Sequence, residues 1–348
     1  MAGFFIGAPE SRNRGRFRSW TFSCEIGSQA LRDIFLLLPH RMALSWRPPK
    51  EPPAPPMSPR LLLCLTITYL VWGTTYLAIR FTLESFPPFL MMGSRFLCAG
   101  LLLALWLWYR GASMPTLRQW RNCAVLAGFL LVGGMGLTAV AEQTISSGAT
   151  TVMIGSMPIL GLFWGFCFGA RPRWYEGLAI ALGSLGILVL TGGAEFRASP
   201  AGVGALLLAI ASWSFGSQLP GRMDLPRGAV AFAAEMLLGG VALLAISTVT
   251  GEPWPRAVSS QAWWAWGYLV VAGSLVAFSA YMYLVANVSP TIATSYVYVN
   301  PPVALAVGAW LGGEQIAPQT WGAVTLILAA LAVLSLGAWR GARVAAST

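Results

Sequence analysis

From Leu61 onward the chain is a succession of apolar runs. Each is roughly 20 residues long, enough to cross ~30 Å of hydrocarbon at ~1.5 Å per helical residue. The runs read as ten spans: 61–79, 88–109, 122–141, 147–169, 174–191, 201–220, 229–250, 262–285, 290–312 and 319–339. Several links between them are so short that neighbouring helices must run antiparallel. Charged residues are 10% of the chain and hydrophobic ones 56%. A soluble chain carries about 25% charged residues. With so few charges, most of this surface has to face lipid.

The formal net charge of +10 does not point to nucleic acid, because the arginines sit between apolar runs and form no stripe with interleaved aromatics. They report orientation instead. Arg110, Arg118, Arg121, Arg171, Arg173, Arg222, Arg227, Arg340 and Arg343 fall in links on one side, and Arg80, Arg197 and Arg256 on the other. The positive-inside rule then places both termini in the cytoplasm. The expected location is a bacterial inner (plasma) membrane, with lipid as a partner.

Residues 1–59 differ from the rest, with eight basic residues from Arg12 to Lys50 and seven prolines from Pro48 to Pro59. They read as a disordered basic tail, or as residues ahead of a true start at Met57; the second is preferred, since Met57 leads straight into the first span. Cys24, Cys64, Cys98, Cys123 and Cys167 show no metal-ligand spacing, and His40 lies outside the spans. No metal and no cofactor is expected.

The chain also repeats itself. At an offset of 143, the stretch from Ile145 aligns with that from Val288: Ser146 falls on Ser289, Thr151 on Thr294, Pro158 on Pro301, Leu162 on Leu305, Gly165 on Gly308 and Gly169 on Gly312. Trp72 falls on Trp213 at an offset of 141. Each half holds five spans, an odd number, so the second copy enters the membrane from the opposite side. The expected fold is an all-α membrane protein of ten transmembrane helices in an inverted repeat, with halves at 60–192 and 200–340 and a cytoplasmic tail at 341–348. Such symmetry permits inward-open and outward-open states of similar energy around a midplane site, as alternating access requires.

Candidate residues follow from cost and placement. Arg95 and Glu235 lie inside spans two and seven at about the same depth, where an ionised group costs roughly 2.5–3.5 kcal/mol and calls for a partner or a wet cavity. Arg95 could hold a solute carboxylate, and Glu235 a proton or an amine; the alternative is a structural pair, or groups near enough to the interface to be hydrated. Glu142, at the end of span three, is either a pathway acid or a solvated loop-edge acid. Glu176 reads as an N-terminal helix charge and Glu314 as a loop residue. Pro158, Pro301 and Pro302 should kink or unwind spans four and nine, either as hinges or as packing kinks. Gly165, Gly169, Gly308 and Gly312 read as helix-packing positions. Trp72, Tyr76, Trp213, Phe215, Tyr296, Tyr298 and Asn300 either line a semi-polar cavity or simply pack. Tyr296 and Asn300, four apart, share one helix face.

The stretches YLVWGTTYLAIR, PPFLMMGSRFLCAG, AEQTISSGATTV, GAVAFAAEMLLGG and YMYLVANVSPTIATSYVYVNPPVA resemble the EamA-domain branch of the drug/metabolite transporter superfamily, and its YedA-like members above all. The resemblance covers roughly Pro59 to Arg340, and the basic tail departs from it. It implies a ten-helix basket of two EamA domains. It also implies export of amino acids, metabolites or drug-like compounds, driven by an ion gradient such as protons. Trp72, Gly73, Arg95, Glu142, Pro158, Glu235, Tyr296, Asn300 and Pro301 match recurring positions of the family.

The expected function is therefore a secondary transporter of a small organic solute, working as an exporter. There is no Walker-type phosphate loop. An intramembrane enzyme would need a base beside a Ser or Thr within the spans. A scaffold would need a folded extramembrane part. A channel remains the alternative that shares the helices.

Overall fold

The structure is a computed structural model, describing residues 58–167, 173–193, 199–288, 290–293 and 295–347. The tail up to Met57, with Cys24 and His40, lies outside the described residues, as do Gly169, Arg171, Arg197, Ser289 and Thr294.

Several helices begin where a short polar side chain accepts from the first free backbone N–H groups. Ser58 starts α1 (Pro59–Leu83), with Pro59 in the first turn where its missing N–H costs nothing. Pro88 plays the same part in α2 (Pro88–Tyr109). Helix α3 (Leu117–Glu142) opens with a capping box in which Thr116 and Gln119 bond each other's backbone. That box pulls its start five residues ahead of the expected 122, adding a polar first turn to the apolar run. Ser146 opens α4 (Ser147–Cys167). Glu176 accepts from the Arg173 amide at 2.7 Å as α5 (Trp174–Thr191) begins, the N-terminal role expected of it. Ser199 starts α6 (Pro200–Gly216). Helix α7 covers Ala229–Val249.

Helix α8 consists of Ser260–Tyr268, a π-helical stretch Leu269–Val276, and Ala277–Asn287. Helix α9 comprises Pro290–Ala293 and Tyr296–Leu311. Helix α10 runs from Pro318 to Ser347, past the expected end at 339 and through the residues assigned to a tail. Among the described residues nine helices are long and apolar enough to cross a membrane, and the main segment of α9 supplies a shorter tenth.

Helix pairing follows the repeat. Helix α2 packs on α7, α5 on α10 and α4 on α9, each helix against its own counterpart. The contacts of α1 with α8 and α9 are matched by those of α6 with α3 and α4. At the α2–α7 crossing the symmetry is resolved to single residues. A methyl group on Gly100 would come within 2.9 Å of the Leu237 nitrogen, and one on Gly240 within 2.5 Å of the Leu97 nitrogen. Leu97/Gly100 and Leu237/Gly240 are related by an offset of 140, so the pseudo-two-fold axis passes between them. Gly111 and Gly251, also 140 apart, follow α2 and α7 with φ of +76° and +71°, a conformation that favours glycine.

Two interruptions also obey the repeat, though periodicity gave no hint of them. A π-helical stretch occupies Gly128–Gly136 in α3 and Leu269–Val276 in α8, starting 141 residues apart. The prolines behave differently from each other. Helix α4 breaks between Ile154 and Met157, next to Pro158. Helix α9 instead continues through Pro301 and Pro302, and its break lies earlier, between Ala293 and Tyr296. The side-chain amide of Asn300, oriented to suit its neighbours, donates to the Tyr296 carbonyl (3.1 Å) and to that of Tyr69 on α1 (3.2 Å). It supplies donors beside a turn from which two prolines have removed N–H groups.

Candidate functional site

The first candidate, Arg95, is buried on α2, at 4% exposure. Its Nε donates to Ser274 Oγ at 3.0 Å, Nη1 points to Met92 Sδ at 3.7 Å, and the guanidinium lies 5.0 Å from the centre of the Phe96 ring. Ser274 belongs to the π-helical stretch of α8 and donates in turn to the Leu269 carbonyl at 3.0 Å. Gly273 beside it leaves room, since a methyl group there would come within 3.2 Å of Arg95 Nη2 and 3.0 Å of Thr75 Cγ2. No carboxylate of the described residues lies within salt-bridge distance of Arg95.

Three rings close the space toward α9. Trp72 Nε1 donates to the Gly273 carbonyl, within the π-helical stretch of α8, at 3.2 Å. The Trp72 ring meets Tyr296 edge-on at 4.8 Å and Tyr281 at 5.3 Å, with Tyr281 and Tyr296 5.9 Å apart. Tyr76, one turn from Trp72, is buried within electrostatic reach of Arg95, Tyr296 and Glu142. Asn300 is buried one turn beyond Tyr296. The structure thus gathers Arg95, Trp72, Tyr76, Tyr296 and Asn300 where α1 and α2 of the first half meet α8 and α9 of the second. It adds Ser274, Gly273 and Tyr281, which the sequence did not single out. A signal existed for two of them, because Gly133–Gly134 and Gly273–Ser274 are small pairs 140 apart, one in each π-helical stretch.

Other candidates lie elsewhere. Glu235 is buried on α7 and interacts electrostatically with Cys123 of α3; it forms no ion pair with Arg95, so a structural pair is ruled out. Trp213 packs on Gly134 in the π-helical stretch of α3, mirroring Trp72 on that of α8. Its Nε1, however, is buried without a hydrogen-bond partner. Phe215 packs on Phe129 and Trp164, while the Tyr298 hydroxyl bonds Leu331 and Ser335 on α10. Gly165 is half-buried on α4.

Glu314 is a loop residue after α9, as read, but not a solvated one: its side chain is 6% exposed. It accepts from the amides of Ser147 (3.0 Å) and Gly148 (3.2 Å) at the start of α4, and pairs with Arg80 of α1 at 3.6 Å. A methyl group on Gly308 would come within 2.6 Å of its Oε2, so that glycine makes room for a carboxylate. Glu252 does likewise after α7, accepting from Phe89 and Leu90 at the start of α2 at 3.0 and 2.8 Å. Carboxylates suit these helix N-termini, where free N–H groups and the helix dipole favour negative charge. At the opposite end, Asp224 takes bonds from Gln119 and Asn122 of α3. Each of these contacts joins one half to the other. Glu142 is also enclosed, at 2% exposure, which excludes a solvated loop edge, and neither carboxylate oxygen has a hydrogen-bond partner.

Among the described residues, no cluster of three or more His, Cys, Asp or Glu side chains could hold a metal ion. The arrangement instead offers a buried guanidinium with no described carboxylate within salt-bridge distance, flanked by aromatic rings and hydroxyls, at a junction between halves.

Comparison with known proteins agrees with this layout. The model of the EamA-like transporter family matches twice, over residues 60–192 and 200–336. The inner membrane transporter YedA of Escherichia coli K12 is 42% identical over 270 residues, covering 77% of this chain and 88% of its own. Protein PecM of Dickeya dadantii is 27% identical over 243 residues, covering 68% and 80%. A transporter of Archaeoglobus fulgidus is also 27% identical, over 252 residues, covering 70% and 86%. One crystal structure shares the fold, with a TM-score of 0.56 at 21% identity over 81% of this chain and 99% of that one.

Proposed function

The chain belongs to the EamA-like transporter family, and on that premise we propose that it is a secondary transporter exporting a small organic solute by alternating access of its two EamA domains, 60–192 and 200–340. The observation that carries the reading is Arg95. A guanidinium taken out of water without a carboxylate partner is costly, and a solute that brings a carboxylate or another oxygen acceptor to it removes that cost. Trp72, Tyr76 and Tyr296 offer the solute apolar faces and hydroxyls, and Ser274 holds the guanidinium in place. The Gly308 and Gly312 positions, with Glu314, belong to the joint between the halves, as do the breaks in α4 and α9 and the prolines near them.

The arginine count puts the end carrying Glu314 and Glu252 outside the cell and the Asp224 end in the cytoplasm. On this reading both termini are cytoplasmic and the membrane is a bacterial inner membrane. Contacts between halves at each end would then be made and broken in turn as the site faces one side and then the other.

A thermal-shift screen of amino acids and common metabolites tests this. A solute of the transporter stabilises the purified protein, and Arg95→Ala abolishes the shift while Glu176→Ala, at the distant start of α5, keeps it. Counterflow of that solute in proteoliposomes separates a carrier from a channel. Stabilisation that survives Arg95→Ala would overturn the assignment of the site.

A further inference from the structure

We propose that Glu142 is the proton-binding group through which a proton gradient drives this transporter. The proposal rests on the transport reading above and deepens it by naming the coupling ion and its residue.

Glu142 ends α3, at the end of the bundle that carries Glu314. Both of its oxygens are buried, and neither has a hydrogen-bond partner. Its position contrasts with that of two other buried or capping acids: Glu314 accepts from two amides and meets Arg80, and Glu252 accepts from two amides. Those two carboxylates have structural duties as caps on helix starts. Glu142 has none. Its two enclosed oxygens are left without the hydrogen bonds that a buried polar group requires.

The surroundings define which cation it can take. The titratable and charged groups facing it are Arg80 and Tyr76 on α1, Arg95 on α2 and Glu314 after α9. Helix α6 has no titratable side chain, and the neighbouring turn of α4 brings Ser147 and Thr150, whose hydroxyl oxygens are also buried without partners. One carboxylate with two hydroxyls falls short of the oxygen shell that hard cations require. A proton needs a single oxygen.

The same neighbours connect the group to the solute site. Arg95 acts on Glu142 directly, and Tyr76 interacts with both. Binding of a proton at one position therefore alters the field at the other, which is the requirement for coupling. Glu142 takes its proton from water on one side when the ends of α1, α3 and α4 part, holds it while they enclose it, and returns it to water on the other side.

The proton alone is the first probe. Infrared spectra of the purified protein are recorded as a function of pH. The expected result is a carboxylic-acid C=O band that titrates, disappears in Glu142→Gln and shifts in Glu142→Asp, with Glu235→Gln leaving it in place. A band unaffected by either substitution at position 142, or no titrating band, overturns the proposal. Reading both variants guards against one of them failing to fold. The second arm uses the solute found by the thermal-shift screen, in proteoliposomes with pH gradients of both polarities. The wild type accumulates it, while Glu142→Gln exchanges it without accumulating it. Accumulation by Glu142→Gln, or exchange by the wild type without any response to pH, overturns proton coupling but leaves transport standing. A screen that yields no solute counts against the transport reading, and the infrared titration still decides the role of Glu142.

Discussion

Gly100 on α2 lies directly against the backbone nitrogen of Leu237 on α7, so close that a methyl group in its place would sit 2.9 Å from that atom. The obstacle is backbone, which cannot swing aside as a side chain can. Gly100→Val, and Gly240→Val at the symmetry-related contact with Leu97, should therefore cost at least the roughly 1–3 kcal/mol typical of overpacking. Thermal unfolding of the purified variants checks this. Gly204 on α6 faces open space, and Gly204→Ala should be neutral or stabilising by up to ~1 kcal/mol through helix propensity.

Removing the cap that Glu314 places on α4 should be felt as a loss of two charge-assisted hydrogen bonds and an ion pair. Glu314→Ala is expected to lower stability by roughly 2–3 kcal/mol, on the scale of hydrogen bonds to charged groups. Gly308→Ala should produce a smaller loss by pushing the carboxylate off the Ser147 and Gly148 amides. Hydrogen exchange at these two amides distinguishes a lost cap from general destabilisation.

Arg95→Lys keeps the charge but loses the Nε bond to Ser274 that fixes the guanidinium plane. Solute affinity should fall by roughly 10- to 100-fold, the range for one hydrogen bond to a charged group. Isothermal titration with the solute identified by the screen measures it, and unchanged affinity would remove Arg95 from the site.

The two symmetry-related indoles should respond differently to loss of the N–H. Trp72→Phe gives up a bond to the Gly273 carbonyl, at a net cost of roughly 0.5–1.5 kcal/mol beyond the change in ring size. Trp213→Phe discards a buried N–H that has no partner, so its cost should be the smaller of the two. A thermal-unfolding comparison that ranks them the other way would contradict the asymmetry.

What was legible in the sequence follows from the solvent. A lipid environment demands long apolar runs with internally bonded backbone, so span number shows in composition alone. The odd count per half and the offset near 140 then specify an inverted pair. The buried positions of Arg95 and Glu235 were legible for the same reason, since a charge inside an apolar run is visible without coordinates. Which faces meet was not, because a lipid-facing helix is apolar nearly all round and periodicity carries little information. Only the tertiary structure could separate Arg95 from Glu235, bring Ser274 to the guanidinium through a π-helical stretch, and carry α9 through Pro301 and Pro302. It alone made the loop acid Glu314 a cap on another helix and enclosed Glu142 without a partner. Ser274 stands more than 100 residues from Arg95, and the Ser147 and Gly148 amides more than 100 from Glu314, and no local pattern encodes where such groups will stand.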